Sequence, residues 1–387
     1  MDRPTQLALA RRLLDHVTRR STDLGERVYH NPVWDYTCPE QAALEVQRFF
    51  REGPVIVALG ADLREPGDHV ADALTGVPIL LVRGADGRLR GFLNMCRHRG
   101  TRLAVGRDRS PGRFRCPYHG WTYDLEGRVI GVPSRDCFED AGAGAIEGLI
   151  ALPVVERHGL VWVCPAPTAQ PDVDALLGAL GPELEAYRLD RYYRHATRVL
   201  ARRMNWKLVI DTFLEAYHIP ALHKDTIGPM FHGNVATFDA FGPSLRTVFA
   251  RRTIDELSEQ DEADWSVLSR VAIIYLVFPS TVLLWLGDHM EVWRVCPGPS
   301  VEESVMEFSL YAPEAARTEE ERRHWDRNME LALRTVELED FPLGEDIQQG
   351  FRVAAERSVV YGRNEVALTH FHRAVRERLG LASASDG

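Results

Sequence analysis

Apolar residues recur at helical spacing from the start of the chain. Leu7, Ala10, Leu13, Leu14 and Val17 lie along one stripe and predict an amphipathic helix over residues 5–20. A second helix is expected to start at Pro39, a residue favoured in the first helical turn, and to end at Gly53. Its apolar face is Ala42, Ala43, Val46, Phe49 and Phe50. From Pro54 to Cys164 the texture changes to short apolar runs, such as Val55 to Leu59 and Leu160 to Cys164. Turn residues such as Ala85-Asp86-Gly87 and His158-Gly159 separate them, which predicts a small antiparallel β domain. A Pro-rich stretch over 165–172 reads as a linker. Beyond it, helices are expected near 173–188, 205–219, 314–338 and 364–379. Strands are expected near 192–202, 244–252, 271–278, 281–286, 290–296 and 304–311. Separate runs of strand and helix make the fold class α+β. The organisation expected is N-terminal helices over 1–50 that pack on the larger domain, a small β domain over 51–166, that larger domain over 167–381, and a disordered tail over 382–387.

Composition narrows the class. The 387 residues are 26% charged and 45% hydrophobic, with a formal net charge of −10, which argues against a nucleic-acid-binding surface. The longest apolar run, Val271 to Phe278, falls far short of the roughly 20 residues that a membrane-spanning helix needs. Six cysteines are too sparse for a disulfide scaffold, and a reducing cytoplasm is expected.

The chemistry lies in two constellations. The first is Cys96-Arg-His98-Arg-Gly100 followed by Cys116-Pro-Tyr-His119-Gly120-Trp121. Two Cys and two His form the ligand set of a Rieske [2Fe–2S] cluster. Thiolates hold one iron and imidazoles the other, which raises the reduction potential above that of an all-cysteine cluster. Gly100 and Gly120 permit the tight turns that aim both loops at one point. A structural zinc site would use the same ligand types, but zinc ligand pairs usually stand two or more residues apart, and Cys96 and His98 are separated by one.

The second constellation is Glu215-Ala-Tyr-His218-Ile-Pro220-Ala-Leu-His223. Glu215 and His218 are three apart and would share a helix face. Pro220 is expected to end or kink that helix, so that His223 returns toward the same point. Two histidines and one carboxylate with open positions form the facial triad of non-haem Fe(II) oxygenases.

The first pair of loops resembles the Rieske motif of ring-hydroxylating and demethylating oxygenases, and the resemblance extends over most of the chain. It implies a catalytic domain built as a helix-grip sheet, with a mononuclear iron held by His218, His223 and a distant C-terminal acid. Asp340, in Glu339-Asp340-Phe-Pro-Leu-Gly-Glu345, matches that acid by position; Glu339 and Glu345 compete with it. The resemblance also implies that Glu215 binds no iron. It would instead link His119 of one subunit to His218 of the next within a head-to-tail homotrimer. The family more often has Asp at this position, and Glu occurs in members that oxidise small quaternary amines. Asp211-Thr212 stands where many members have Glu-Asn, so no role is carried over to Thr212.

The expected activity is therefore that of a terminal oxygenase component. It would use dioxygen to hydroxylate, dihydroxylate or demethylate a small organic substrate. Electrons would come from a ferredoxin or flavin reductase, because no nicotinamide or flavin fingerprint is evident and NAD(P)H could act only through that partner. The competing reading is a Rieske electron carrier or hydrophobic-ligand-binding protein without oxygenase activity. Other residues are assigned less. His370 and His372 are expected at the surface or in packing, and His232 and His289 have no role set by spacing. Trp285, Phe278 and Phe231 are expected as core aromatics in preference to cavity lining. Arg102 and Arg115 read equally as contacts for an acidic electron donor or as solvated charges.

Overall fold

The computed structural model describes residues 1–141 and 146–381; the expected tail over 382–387 lies outside the described residues. Two compact units are present. One comprises Gln47–Val173 with Arg188–Arg191, and the other comprises Met1–Val46, Asp174–Tyr187 and Tyr192–Gly387. The 165–172 stretch belongs to the smaller unit, where the Ala166 N–H donates to Arg51 O at 2.9 Å. Among the described residues no helix is long and apolar enough to cross a membrane.

The smaller unit consists of antiparallel sheets. Five strands run in the order Ala151–Leu152, Leu89–Leu93, Ile79–Arg83, Asp68–Asp72, Arg107–Arg109. A separate three-stranded meander, Arg113–Arg115, Thr122–Asp124 and Val129–Gly131, carries the second motif loop between its first two strands. Leu80, Val82, Phe92, Phe114, Trp121, Tyr123, Leu125 and Leu149 form a core that also contains Cys96 and Cys116. At about 1.5–3 kcal/mol per large apolar side chain buried, this core fixes the two loops it encloses.

The larger unit is organised on a seven-stranded antiparallel sheet. Its order is Tyr193–Arg202, Ser304–Ala312, Met290–Pro297, Thr281–Trp285, Val271–Val277, Ser244–Arg251, Phe231–Phe241. Six of these strands match those expected from the sequence to within a residue or two. The seventh, Phe231–Phe241, does not announce itself. It is an edge strand whose register shifts between Phe231 and Ala236, around Gly233 and a left-handed Asn234 at φ 53°. The N-terminal helix Arg3–Arg19 is capped by Asp2, which accepts from Thr5 N–H at 2.9 Å, and buries Leu9, Ala10 and Leu13. Arg12 on that helix pairs with Asp239 of the edge strand at 3.0 Å.

Several helices differ from expectation. Residues 173–188 break into three short turns around Gly178, at φ 50°, and Pro182. The expected helix over 205–219 ends at Asp211, and a new one runs Ile219–Leu222 with Pro220 in its first turn. Pro220 therefore starts a helix where it was expected to stop one. The long helix Glu319–Thr335 opens with a reciprocal Thr318/Glu321 capping box. It passes through one π-helical turn, Val336–Asp340, into Phe341–Val353.

Candidate metal centres and the cavity between sheet and helix

The two motif loops of the smaller unit are closed by the same pair of hydrogen bonds. In the first, Cys96 N–H donates to Thr101 O at 2.8 Å and Gly100 N–H to Cys96 O at 2.9 Å. In the second, Cys116 N–H donates to Trp121 O at 2.8 Å and Gly120 N–H to Cys116 O at 3.0 Å. Gly100 and Gly120 sit at φ 81° and 73°, a region a side chain would strain. Both thiols are buried and free of disulfides. The two imidazoles meet with ring centroids 4.6 Å apart, and His98 stacks on Trp121.

His98 Nδ1 is buried and has no hydrogen-bond partner. An orphaned ring nitrogen beside two buried thiols is costly unless something ligates it, so the set fits a [2Fe–2S] group. The Tyr123 hydroxyl lies 3.3 Å from Cys96 Sγ and accepts Arg97 N–H at 3.0 Å. Hydrogen bonds to ligating sulfur tune such clusters. His119 is solvent-exposed, as is its neighbour Tyr118.

In the larger unit, His218, His223 and Asp340 converge, with one ligand atom from each within 4.8 Å of the others. His218 Nε2 and His223 Nε2 are 3.1 Å apart, and Asp340 Oδ1 lies 3.6 Å and 3.2 Å from them. The far nitrogens are held by carboxylates. His223 Nδ1 meets Glu339 Oε2 at 2.6 Å, and His218 Nδ1 meets Glu215 Oε1. A ligating imidazole orients its metal-facing nitrogen by donating from the other, so this set fits a mononuclear Fe(II) with positions left open. Burial opposes charge on His223, but Asp340 and Glu339 outweigh it and hold its pKa above the usual value.

Glu215 and His218 do not share a helix face. The backbone between them is a turn, and Glu215 Oε2 accepts the N–H groups of Tyr217 and His218, the latter at 3.0 Å. A carboxylate that caps its own loop in this way holds the His218 ring without a helix. Of the acids that compete with Asp340, Glu345 is elsewhere, accepting Arg203 N–H at 3.0 Å. Glu339 is present, but on the opposite nitrogen of His223. The π turn makes this possible by placing two successive carboxylates around one imidazole, and such turns often mark functional sites. Glu339→Gln is expected to weaken iron retention roughly 10- to 100-fold, measured by chelator competition, with the cluster's visible spectrum unchanged.

A cavity of about 470 Å³ adjoins this centre, within the usual range for small-molecule sites. Its walls include Phe213, Ile219 and Ile227 beside the histidines, Phe249, Ile274 and Leu284 on the sheet, and Leu331, Ala332 and Val336 on the long helix. Phe231 and His289 line it, whereas Trp285 and Phe278 are not among the lining residues. Trp285 instead donates its indole N–H to Leu268 O at 3.0 Å. His232 pairs with Asp255 at 2.9 Å.

His372 is not a surface residue. It is buried, and its Nε2 meets Asp211 Oδ1 and the Tyr36 hydroxyl, each at 2.9 Å, in a polar network reaching Tyr361. His370 is partly buried against Phe238. Sequence spacing also gave no sign of Glu291 and Trp293 in the cavity wall. Their alternation along Met290–Pro297, with Val292 and Arg294 on the opposite face, is the only sequence signal that could have marked that face.

The profile of the family "Ring hydroxylating alpha subunit (catalytic domain)" matches residues 189–381, and that of the "Rieske [2Fe-2S] domain" matches residues 53–153. The chain is 26% identical over 376 residues to the glycine betaine monooxygenase oxygenase subunit of Chromohalobacter salexigens, covering 85% of this chain and 80% of that one. It is 27% identical over 381 residues to the carnitine monooxygenase oxygenase subunit of Escherichia coli K12, covering 90% and 95%. Among solved structures, the quaternary ammonium Rieske monooxygenase CntA in complex with L-carnitine superposes with a TM-score of 0.77 at 21% identity, covering 92% of this chain and 96% of that one. Naphthalene 1,2-dioxygenase from Rhodococcus sp. bound to indole superposes at 0.73 and 18%, covering 98% of each. Both structures share the fold. With a cluster-bearing β domain joined to an iron-bearing helix-grip domain, the chain belongs to the Rieske-type non-haem iron oxygenases, as a catalytic subunit that works with a separate reductase.

Proposed function

We propose that this oxygenase acts on a small cationic substrate, a quaternary ammonium compound, and hydroxylates a carbon bonded to its nitrogen. The observation that carries this reading is Glu291, a carboxylate only 2% exposed that lines the cavity. One of its oxygens accepts the Trp293 indole N–H at 3.0 Å, and the nearest cationic group, His289 Nε2, stands 3.8 Å from the other. A buried acid beside an indole suits an ammonium group, which gains from both the charge and the ring face, and is wasted on a neutral hydrocarbon. The relatives named for glycine betaine and carnitine support the same class.

Cys96, His98, Cys116 and His119 would hold the cluster, and His218, His223 and Asp340 the iron. Together these groups supply electrons and activate dioxygen. One oxygen atom enters a C–H bond next to nitrogen, and the other leaves as water with two electrons from the reductase and two protons. The hydroxylated carbon then sheds its amine to leave a carbonyl. The chain's own residues bind and orient the substrate: Phe213, Ile219 and Ile227 exclude water, and Glu291 and Trp293 fix the charged end.

We also assign Glu215 as the link to His119 of the partner subunit in a head-to-tail trimer that works in the cytoplasm. Exposed His119 and the carboxylate on His218 support this link, since a carboxylate can accept an imidazole N–H on each side. Glu215→Gln should slow single-turnover oxidation by the pre-reduced enzyme roughly 10- to 100-fold with both metal sites still loaded.

The substrate class is tested by reconstitution with a surrogate reductase and a panel of choline, glycine betaine, L-carnitine, naphthalene and indole, scored for product and coupled oxygen uptake. Turnover confined to the ammonium compounds supports the class. Dihydroxylation of naphthalene without ammonium turnover refutes it.

A further inference from the structure

His289 stands out in the cavity wall for one buried ring nitrogen without a hydrogen-bond partner. Its side chain is 1% exposed. Nδ1 meets Asp288 Oδ1 at 2.6 Å, while Nε2 is buried without a hydrogen-bond partner, 3.8 Å from Glu291 Oε1. Burial opposes its charge, but Asp288 and Glu291 outweigh that and raise the imidazole to about 9, so both ring nitrogens carry protons at neutral pH. A buried, charged N–H that faces a cavity costs free energy until an acceptor arrives. Arg251 adds a second cation to the same wall. It lines the cavity, donates from one terminal nitrogen to Leu286 O at 2.8 Å, and leaves Nε unpaired.

The order of groups along the cavity is also informative. Trp293 packs against Phe213, five residues before His218, with centroids 5.4 Å apart. Asp288, next to His289, pairs with His324 at 2.8 Å. His324 lies sixteen residues before Asp340 on the helix that leads to it, roughly 24 Å away along the axis at helical rise. Along the strand Met290–Pro297 and the turn before it, Trp293 therefore lies on the Phe213 side of the cavity and His289 on the His324 side, with Glu291 between them. An acceptor and a donor 3.8 Å apart, with the acceptor on the side of Phe213 and the iron loop, complement a molecule that carries opposite charges a few ångströms apart.

We propose that the substrate is a zwitterion whose carboxylate is read by His289 Nε2, with its ammonium group held nearer the iron by Glu291 and Trp293. The assignment rests on the ammonium class proposed above and adds the anionic end. His289 is then the residue that separates a betaine from an amino alcohol of similar size.

The test compares glycine betaine with choline, which shares the trimethylammonium group and lacks the carboxylate. Wild-type enzyme is expected to prefer glycine betaine in kcat/KM by about tenfold or more. His289→Leu should raise KM for glycine betaine roughly 10- to 100-fold, change that for choline less than about twofold, and keep wild-type iron content and cluster spectrum. His289→Gln, which keeps an N–H donor without the charge, should fall between the two for glycine betaine. If the leucine variant loses iron, the glutamine variant and the wild-type preference still decide the matter. Equal shifts for both substrates, or a wild-type preference for choline, overturn the role of His289 and leave the ammonium class standing. Absence of turnover with every ammonium probe overturns the class, and this assignment with it.

Discussion

His223→Ala is expected to abolish substrate oxidation, by a factor on the order of 10³ or more, while the cluster keeps its colour. The side chain is almost fully buried, with Nε2 3.2 Å from Asp340 Oδ1 and Nδ1 clamped by Glu339. Without it, only His218 and Asp340 remain of the three, and Glu339 keeps Thr226 but loses its imidazole partner. Two ligands bind Fe(II) far more weakly than three, so iron content should fall from about three to about two per chain. The Cys96/His98 and Cys116/His119 loops belong to the other compact unit and should load as before. Iron analysis together with the visible spectrum and product formation reads all three consequences. Residual turnover near the wild-type rate would remove His223 from the iron site.

Lys207→Met is expected to have the largest effect on stability, about 3–5 kcal/mol. Lys207 and Glu45 are both 0% exposed, and Lys207 Nζ reaches the two Glu45 oxygens at 2.6 and 2.7 Å. Trp206 Nε1 and Gln41 Nε2 complete the shell at 2.8 and 3.1 Å. Removing the ammonium leaves a buried carboxylate facing only neutral donors, which costs more than the intact pair contributes. Typical domains are stable by about 5–15 kcal/mol, so the loss is a large fraction of the total. The pair ties the segment Pro39–Glu45 to the helix Trp206–Asp211 that precedes the iron loop. Urea denaturation should therefore show a lowered midpoint at an unchanged slope. The double variant Glu45→Gln/Lys207→Met should recover part of the loss, and a single variant with wild-type stability would contradict the burial argument.

The sequence exposed what is local. The four residues proposed to hold the cluster, Cys96, His98, Cys116 and His119, sit within two short loops whose glycines adopt positive φ, so their pattern needs no long-range information. His218 and His223 stand five residues apart and are local in the same sense, and five strands of the large sheet could be read because nearly all of their residues are buried. The features missed depend on what meets what across the fold. The Phe231–Phe241 strand carries polar residues and a bulge at the sheet edge, so its period-2 signal fades. Glu215 and His218 obey helical spacing but sit in a turn, because the Glu215 carboxylate captures the backbone that a helix would have used. Glu339 acts beside Asp340 only because the helix widens by one π turn, which no spacing rule anticipates. Glu291, His289 and the buried Lys207–Glu45 pair look in sequence like ordinary charged positions and gain their meaning from burial alone.

That widened turn makes the length of the chain over 336–340 as consequential as its residue types. In a regular helix each step turns by about 100°, and in the wider one by less. Trimming one residue would restore regular winding and carry the Asp340 carboxylate around the helix, away from the imidazole edge it shares with His218. Substitutions that keep the segment's length can alter charge one group at a time, whereas a deletion would misplace both acids at once.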